Sequence, residues 1–234
     1  MKNILFTLAL LVSFSSFGQT AEEYYSSGND KAEAKDYYGA IGDYTKAIEL
    51  APDDADYYFD RGVSKALLKD YNGAISDYTK AIELNPNNAD YYFDRGNLLS
   101  IMLKDLYGAI SDYTKAIELN PNYTNAYNNR GNLKDELNDY YGAISDYTKA
   151  IELAPDDAVS YSTRGNSKNN LKDYNGAISD LNKAINLDPN FASAYYNRAI
   201  SKYYTNDLNG ACKDARKSWN LGNPFPEMIK AACN

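Results

Sequence analysis

An all-α solenoid of stacked helical hairpins is the architecture this sequence predicts. Three observations predict it. The segment Gly73–Leu84 returns verbatim at Gly108–Leu119 and Gly142–Leu153, and with one change at Gly39–Leu50; looser copies begin at Gly176 and Gly210. Successive copies are 34, 35, 34, 34 and 34 residues apart, a period that belongs to supersecondary units that bury their apolar faces only against neighbours. Within each copy Ala74, Ile75, Tyr78, Ala81 and Ile82 fall on one stripe of a helix.

Residues 1–19 come first. Lys2, the apolar run Ile4 to Val12 and the small residues Ser16 and Gly18 predict a signal peptide cleaved before Gln19, too short to span a bilayer. The chain is therefore expected to be exported, to the periplasm or the medium. Two cysteines, Cys212 and Cys233, would then meet an oxidising compartment. There is no histidine and the net charge is −8. The first fact removes the commonest general base and metal ligand. The second disfavours nucleic acid, which needs a basic stripe. No nucleophile has a partner base in the pattern, Pro52 to Asp56 lacks the glycine and distal glutamate of a calcium loop, and Gly-Ala-Ile is not a phosphate loop. An enzyme, a metal site and a cofactor are all unexpected.

Each unit reads as helix A, turn, helix B, stop. In residues 55–88, helix A runs from Ala55 to about Lys69, capped by Asp53 or Asp54. Asp70-Tyr71-Asn72-Gly73 reads as the turn. Helix B runs from Ala74 to Leu84, and Asn85-Pro86 ends it. Gly62 and Ala74 allow close helix approach. Periodic tyrosines and the series Arg61, Arg95, Arg130, Arg164 and Arg198 are expected to pack the units rather than to bind a partner.

This pattern resembles the tetratricopeptide repeat. An aromatic holds position 4 (Tyr24, Tyr58, Tyr92, Tyr127, Tyr161, Tyr195), Gly or Ala position 8, Ala position 20, Tyr position 24 in four units, and Pro52, Pro86, Pro121, Pro155 and Pro189 close five units. The resemblance implies a right-handed superhelical solenoid of six repeats, 21–54, 55–88, 89–123, 124–157, 158–191 and 192–225, with a capping helix over 226–234. The third unit's extra residue is placed near its inter-helix turn, in an apolar stretch, Leu98 to Leu103, read as a harmless bulge or a local contact patch. Cys212 takes the place of a buried helix-B isoleucine facing the cap, which leaves a Cys212–Cys233 disulfide or two free thiols, with the disulfide as the hypothesis.

The resemblance also implies a concave groove lined by helix A, whose non-repeating residues select a partner. Its N-terminal half carries Tyr25, Phe59 and Phe93 beside Asp56, Asp60, Asp90 and Asp94. Position 9 carries Asn29 in the first unit and Asn97, Asn132 and Asn166 further on, and with Asn128 the middle is amide-rich; asparagine side chains are expected to donate to and accept from a peptide backbone at once. Tyr196 and Tyr203 make the far end apolar. The lysine and arginine clamp some relatives use for a C-terminal carboxylate is absent. The expected function is a non-catalytic scaffold or adaptor, monomeric, holding a protein or peptide with basic and apolar side chains, with Tyr25, Phe59 and Phe93 as main anchors. The alternative is a structural spacer or self-assembling component of an envelope complex.

Overall fold

The computed structural model describes residues 19–102 and 104–233; the signal-peptide expectation for 1–19 lies outside them but for Gln19. Among the described residues there are twelve α-helices and no strand. They pair as α1 (Ala21–Glu33) with α2 (Tyr37–Leu50), α3 (Ala55–Leu67) with α4 (Tyr71–Leu84), α5 (Ala89–Ile101) with α6 (Leu106–Leu119), α7 (Thr124–Glu136) with α8 (Tyr140–Leu153), α9 (Ala158–Asn170) with α10 (Tyr174–Leu187), and α11 (Ala192–Tyr204) with α12 (Leu208–Asn220). Each helix packs mainly on the next in sequence. Odd helices also touch one another, α1 with α3, α7 with α9 and α9 with α11, whereas even helices make no comparable contact. The odd row therefore lies on the inside of the superhelix. No described helix is long and apolar enough to cross a membrane.

Helix B starts three residues earlier than its composition suggests. Asp70 is not part of a loose turn: its carboxylate caps α4 by accepting from the Gly73 N–H at 3.1 Å. Asp36, Asp105, Asp139, Asp173 and Asp207 do the same one unit apart. The glycine is demanded by the cap, because a Cβ on Gly73 would stand 2.2 Å from Asp70 Oδ2. The true turn is two residues, Leu68 and Lys69. The Asp70 N–H reaches Lys65 O and the Lys69 N–H reaches Ala66 O, a Schellman closure. It holds Lys69 at φ 66°, the left-handed region that glycine normally fills. In the third hairpin three residues separate α5 from the capping Asp105, so the extra residue lies in the turn, next to the exposed Ile101 and Met102.

The core is repetitive. Ala40, Ala74, Ala109, Ala143, Ala177 and Ala211 are fully buried. Tyr44, Tyr78, Tyr113 and Tyr147 are 2–3% exposed and lie against the glycine of helix A: a Cβ on Gly62 would stand 2.7 Å from the Tyr78 ring. Between hairpins runs an ionic ladder. Arg130 donates to both carboxylate oxygens of the buried Asp146 (2.9 and 2.6 Å) and to Thr114 of the preceding hairpin at 3.0 Å. Arg61, Arg95, Arg164 and Arg198 repeat this on Asp77, Asp112, Asp180 and Asp214. A lysine adds a second cation in four of these five hairpins, such as Lys134 at 2.8 Å from Asp146; in the third, Leu99 replaces it. Each arginine also lies 5.4–5.9 Å from the position-4 tyrosine ring of its own helix.

Both ends differ from the middle, as terminal repeats must. In α1, Glu23, Ser27 and Asp30 stand where interior helices carry packing residues, and Lys31 takes over Asp43 at 2.5 Å. At the other end Glu227–Cys233 forms a 3₁₀ helix rather than an α-helix. Its Ile229 is fully buried against Ala199, Ala211 and Ala215, and Cys233 is disulfide-bonded to Cys212.

Candidate functional groove

The inner surface is built from the odd helices, and its N-terminal half is an aromatic ladder. Tyr25 on α1 lies 4.7 Å from Tyr57 and 5.8 Å from Tyr44. Phe59 on α3 repeats the arrangement with Tyr91 (4.7 Å) and Tyr78 (5.4 Å), and Phe93 on α5 with Tyr123 (4.7 Å) and Tyr113 (5.7 Å). All three expected anchors are half-buried and flanked by rings on both sides. They brace hairpins as well as line the groove, so removing all three would test the fold as much as binding.

The carboxylates interleave with hydroxyls from the adjacent hairpin. Tyr91 donates to Asp56, Tyr123 to Asp90 at 2.8 Å, and Tyr25 to Asp60 at 2.6 Å. Burial, with the charge of Asp56, still holds the Asp60 carboxyl above the usual aspartate range. Asp94 is the exception. Phe59 stands where Tyr25 stands one hairpin earlier, and it has no hydroxyl to give. The only side-chain hydrogen bond of Asp94 among the described residues comes from the Asn97 amide, at 3.5 Å. Burial, and next the charge of Asp90, push its pKa up to about 6.

Several of the amide residues already bond within the protein. Tyr44, Tyr113 and Tyr147 on the even helices donate to Asn29, Asn97 and Asn132 at 2.7–2.8 Å. Asn97 also accepts from Asn129. Asn128 donates to Asp157 and accepts from the buried Ser160. Asn97 thus accepts twice, whereas Asn29 and Asn132 each accept once and keep a second lone pair beside their N–H groups. Asn166, opposite Leu181 rather than a tyrosine, makes no side-chain bond among the described residues. Tyr196 and Tyr203 are half-buried on α11, and Tyr203 lies edge-on to Tyr204 at 5.6 Å. Between α1 and α3 opens a cleft of about 350 Å³ lined by Asn29, Tyr44, Asp60, Val63 and Leu67.

The helix pairs, their period and the inner row all coincide with a known repeat. Residues 65–100 and 165–204 match a family model described as TPR repeat, and 89–123 and 124–157 match models described as tetratricopeptide repeat. The chain belongs to the tetratricopeptide repeat family. Among solved structures it is similar to the MamA protein, at 25% identity and a TM-score of 0.68 over 74% of this chain and 93% of that one. It is also similar to YrrB, described as a TPR protein with an unusual peptide-binding site (22% identity, TM-score 0.70, 80% and 94% covered), and to pilF of Pseudomonas aeruginosa (17%, 0.72, 90% and 96%). The last two likenesses speak to the fold alone. No curated protein matches the chain in sequence. Tetratricopeptide repeats are in general protein–protein interaction modules, and the groove of this one departs from its own period at Val63, where units one, three, four and five carry asparagine.

Proposed function

We propose that this tetratricopeptide repeat protein is a non-catalytic scaffold that holds an extended peptide or protein segment against α1, α3 and α5, and that it works outside the cytoplasm. The observation that carries the first half is the composition of that surface: aromatic rings alternating with carboxylates, one of which, Asp94, has no cation. This suits a segment with basic and apolar side chains, through burial, charge pairing and cation–π contact. The amide donor of Asn29 on α1 suits its carbonyl groups. The second half is supported by the leader-like residues 1–19 and by the Cys212–Cys233 bond, a linkage that persists in oxidising compartments.

Closed ends favour a monomer. A polar first helix and a stapled last one do not invite head-to-tail stacking. The rival, a self-assembling envelope component, draws support from Tyr204, Leu208, Trp219 and Met228, which are 39–60% exposed around the C-terminal end. Light scattering on the purified protein separates the two, since a dilute monomer disfavours self-assembly. The groove itself is tested by photo-crosslinking in the producing cell, with the crosslinker at Val63 on the inner surface or Ser76 on the outer. A partner captured at Val63 and not at Ser76, which then binds the purified protein, supports the reading; capture only at Ser76 overturns it.

A further inference from the structure

Hairpin two lacks the tyrosine–asparagine bond that hairpins one, three and four keep, and it lacks the hydroxyl that hairpin one gives to its neighbour's carboxylate. In hairpins one, three and four the buried helix-B tyrosine donates to an asparagine on helix A. In hairpin two that asparagine is Val63, and Tyr78, 3% exposed, makes no side-chain hydrogen bond among the described residues. One hairpin earlier the equivalent pair, Tyr44 and Asp60, lines one cleft with Asn29, and the period sets Tyr78 and Asp94 in the same relation; after burial, the charges of Asp94, Asp60 and Asp77 raise the phenol above its ordinary range. One hairpin earlier Tyr25 satisfies Asp60; the equivalent position facing Asp94 is Phe59. Every cation of α3 and α5 is committed elsewhere: Arg61 and Lys65 to Asp77, Arg95 to Asp112. A phenol oxygen that bonds nothing in the protein among the described residues, yet is not sealed from solvent, and a carboxylate without a cation thus share one wall of the groove, beside the Phe59 ring.

We propose that the junction of the second and third hairpins is a subsite for a single cationic side chain, ammonium or guanidinium, of the held segment, seated between the Asp94 carboxylate and the Tyr78 hydroxyl and against the Phe59 ring. The proposal rests on the groove reading above and names its first specificity element. The carboxylate accepts a charge-assisted bond, the phenol oxygen accepts a second donor, and the ring adds cation–π attraction. An ammonium has three donors and a guanidinium five, so both chemistries fit this pair of acceptors. Phe59 and Val63 are then the residues that open the subsite, because a tyrosine and an asparagine at those positions would close it from within the protein.

The test uses the purified protein and three labelled peptides, Ac-Leu-Arg-Leu-NH2, Ac-Leu-Lys-Leu-NH2 and Ac-Leu-Gln-Leu-NH2, with affinity read by fluorescence anisotropy and location by NMR. The arginine and lysine peptides are expected to bind more tightly than the glutamine peptide, and whichever is tighter identifies the cation. Asp94→Asn is expected to weaken both at least tenfold and to erase the gap. Asp156→Asn, the same charge change in an exposed turn, is expected to leave affinity within twofold. The double repair Phe59→Tyr with Val63→Asn gives hairpin two the pair that hairpin one has, Tyr25 and Asn29. It is expected to weaken cationic peptides about fivefold or more while the unfolding midpoint does not fall. Equal affinity for all three peptides, or wild-type affinity in the repaired protein, overturns the proposal. If the peptides bind but shift only Asn132 and Asn166 signals, the subsite is wrong and the groove stands. If they bind and shift no inner-surface residue, both fall.

Discussion

Replacing Asp94 by asparagine should make the protein more stable at neutral pH, and the size of the gain follows from its surroundings. Burial and the neighbouring Asp90 lift its pKa from 3.8 to about 6. A pKa raised in the folded state means that the native protein holds the proton more tightly than the unfolded chain. Stability therefore falls as pH rises through the interval between these values, and the loss is complete above about 6. A tenfold change in proton affinity corresponds to about 1.4 kcal/mol, so ionised Asp94 costs the native state roughly 1–3 kcal/mol at pH 7, allowing for its partial exposure. Asparagine has nearly the same shape and no charge. Asp94→Asn is expected to raise the melting temperature by roughly 3–8 °C at pH 7 for a chain of this size, and by nothing at pH 4, where the wild-type carboxyl is already protonated. Circular dichroism melts at pH 4, 5, 6 and 7 provide the assay. Asp60 and Asp135 are also raised by burial, so some decline with pH remains in the variant. Wild-type and variant melting temperatures that keep a constant offset from pH 4 to pH 7 would refute the reasoning.

Three further outcomes are expected. Arg95→Ala should cost more than Arg61→Ala, because Asp77 keeps Lys65 at 2.7 Å whereas Asp112 has Leu99 where its lysine would be; leaving a buried charge unpaired costs about 3–5 kcal/mol, and urea titration of the two variants should rank them in that order. Lys69→Gly should stabilise by up to about 1 kcal/mol, since it relieves a left-handed residue at a Schellman closure, and a lowered urea midpoint would contradict this. Reducing Cys212–Cys233, which are 21 residues apart, should cost about 3 kcal/mol on the chain-entropy model. Amide exchange should then rise first in Glu227–Cys233 and α12.

Most of the architecture was legible because it is written six times. A stripe that recurs at a fixed period, ended by proline, leaves little freedom in helix count or pairing. The boundary of helix B was misread for a physical reason: Asp, Asn and Gly favour turns, yet the same aspartate and glycine, three apart, make a cap whose carboxylate needs the empty space over the glycine. The aromatic and acidic residues of the inner helices were legible; the intramolecular partners of the asparagines were not. Their partners are tyrosines on the other helix of the hairpin, 15 or 16 residues away, and helical periodicity carries no signal about which groups bond across a hairpin. A signal was nonetheless present. Aligning the units shows asparagine at position 9 wherever this chain pairs it with a buried tyrosine, and Val63 opposite Tyr78 as the exception. Phe59 set against Tyr25 marks Asp94 in the same way. Departures from the period, rather than the period itself, locate the groups that the fold leaves unsatisfied.

The most direct measurement is the titration of the Asp94 side-chain carboxyl carbon by NMR, in the free protein and in protein saturated with Ac-Leu-Arg-Leu-NH2. A midpoint near pH 6 that drops toward the ordinary aspartate range when the peptide is bound is the result this account requires. A free midpoint already near the ordinary value of about 4, or one that does not move on saturation, would contradict it.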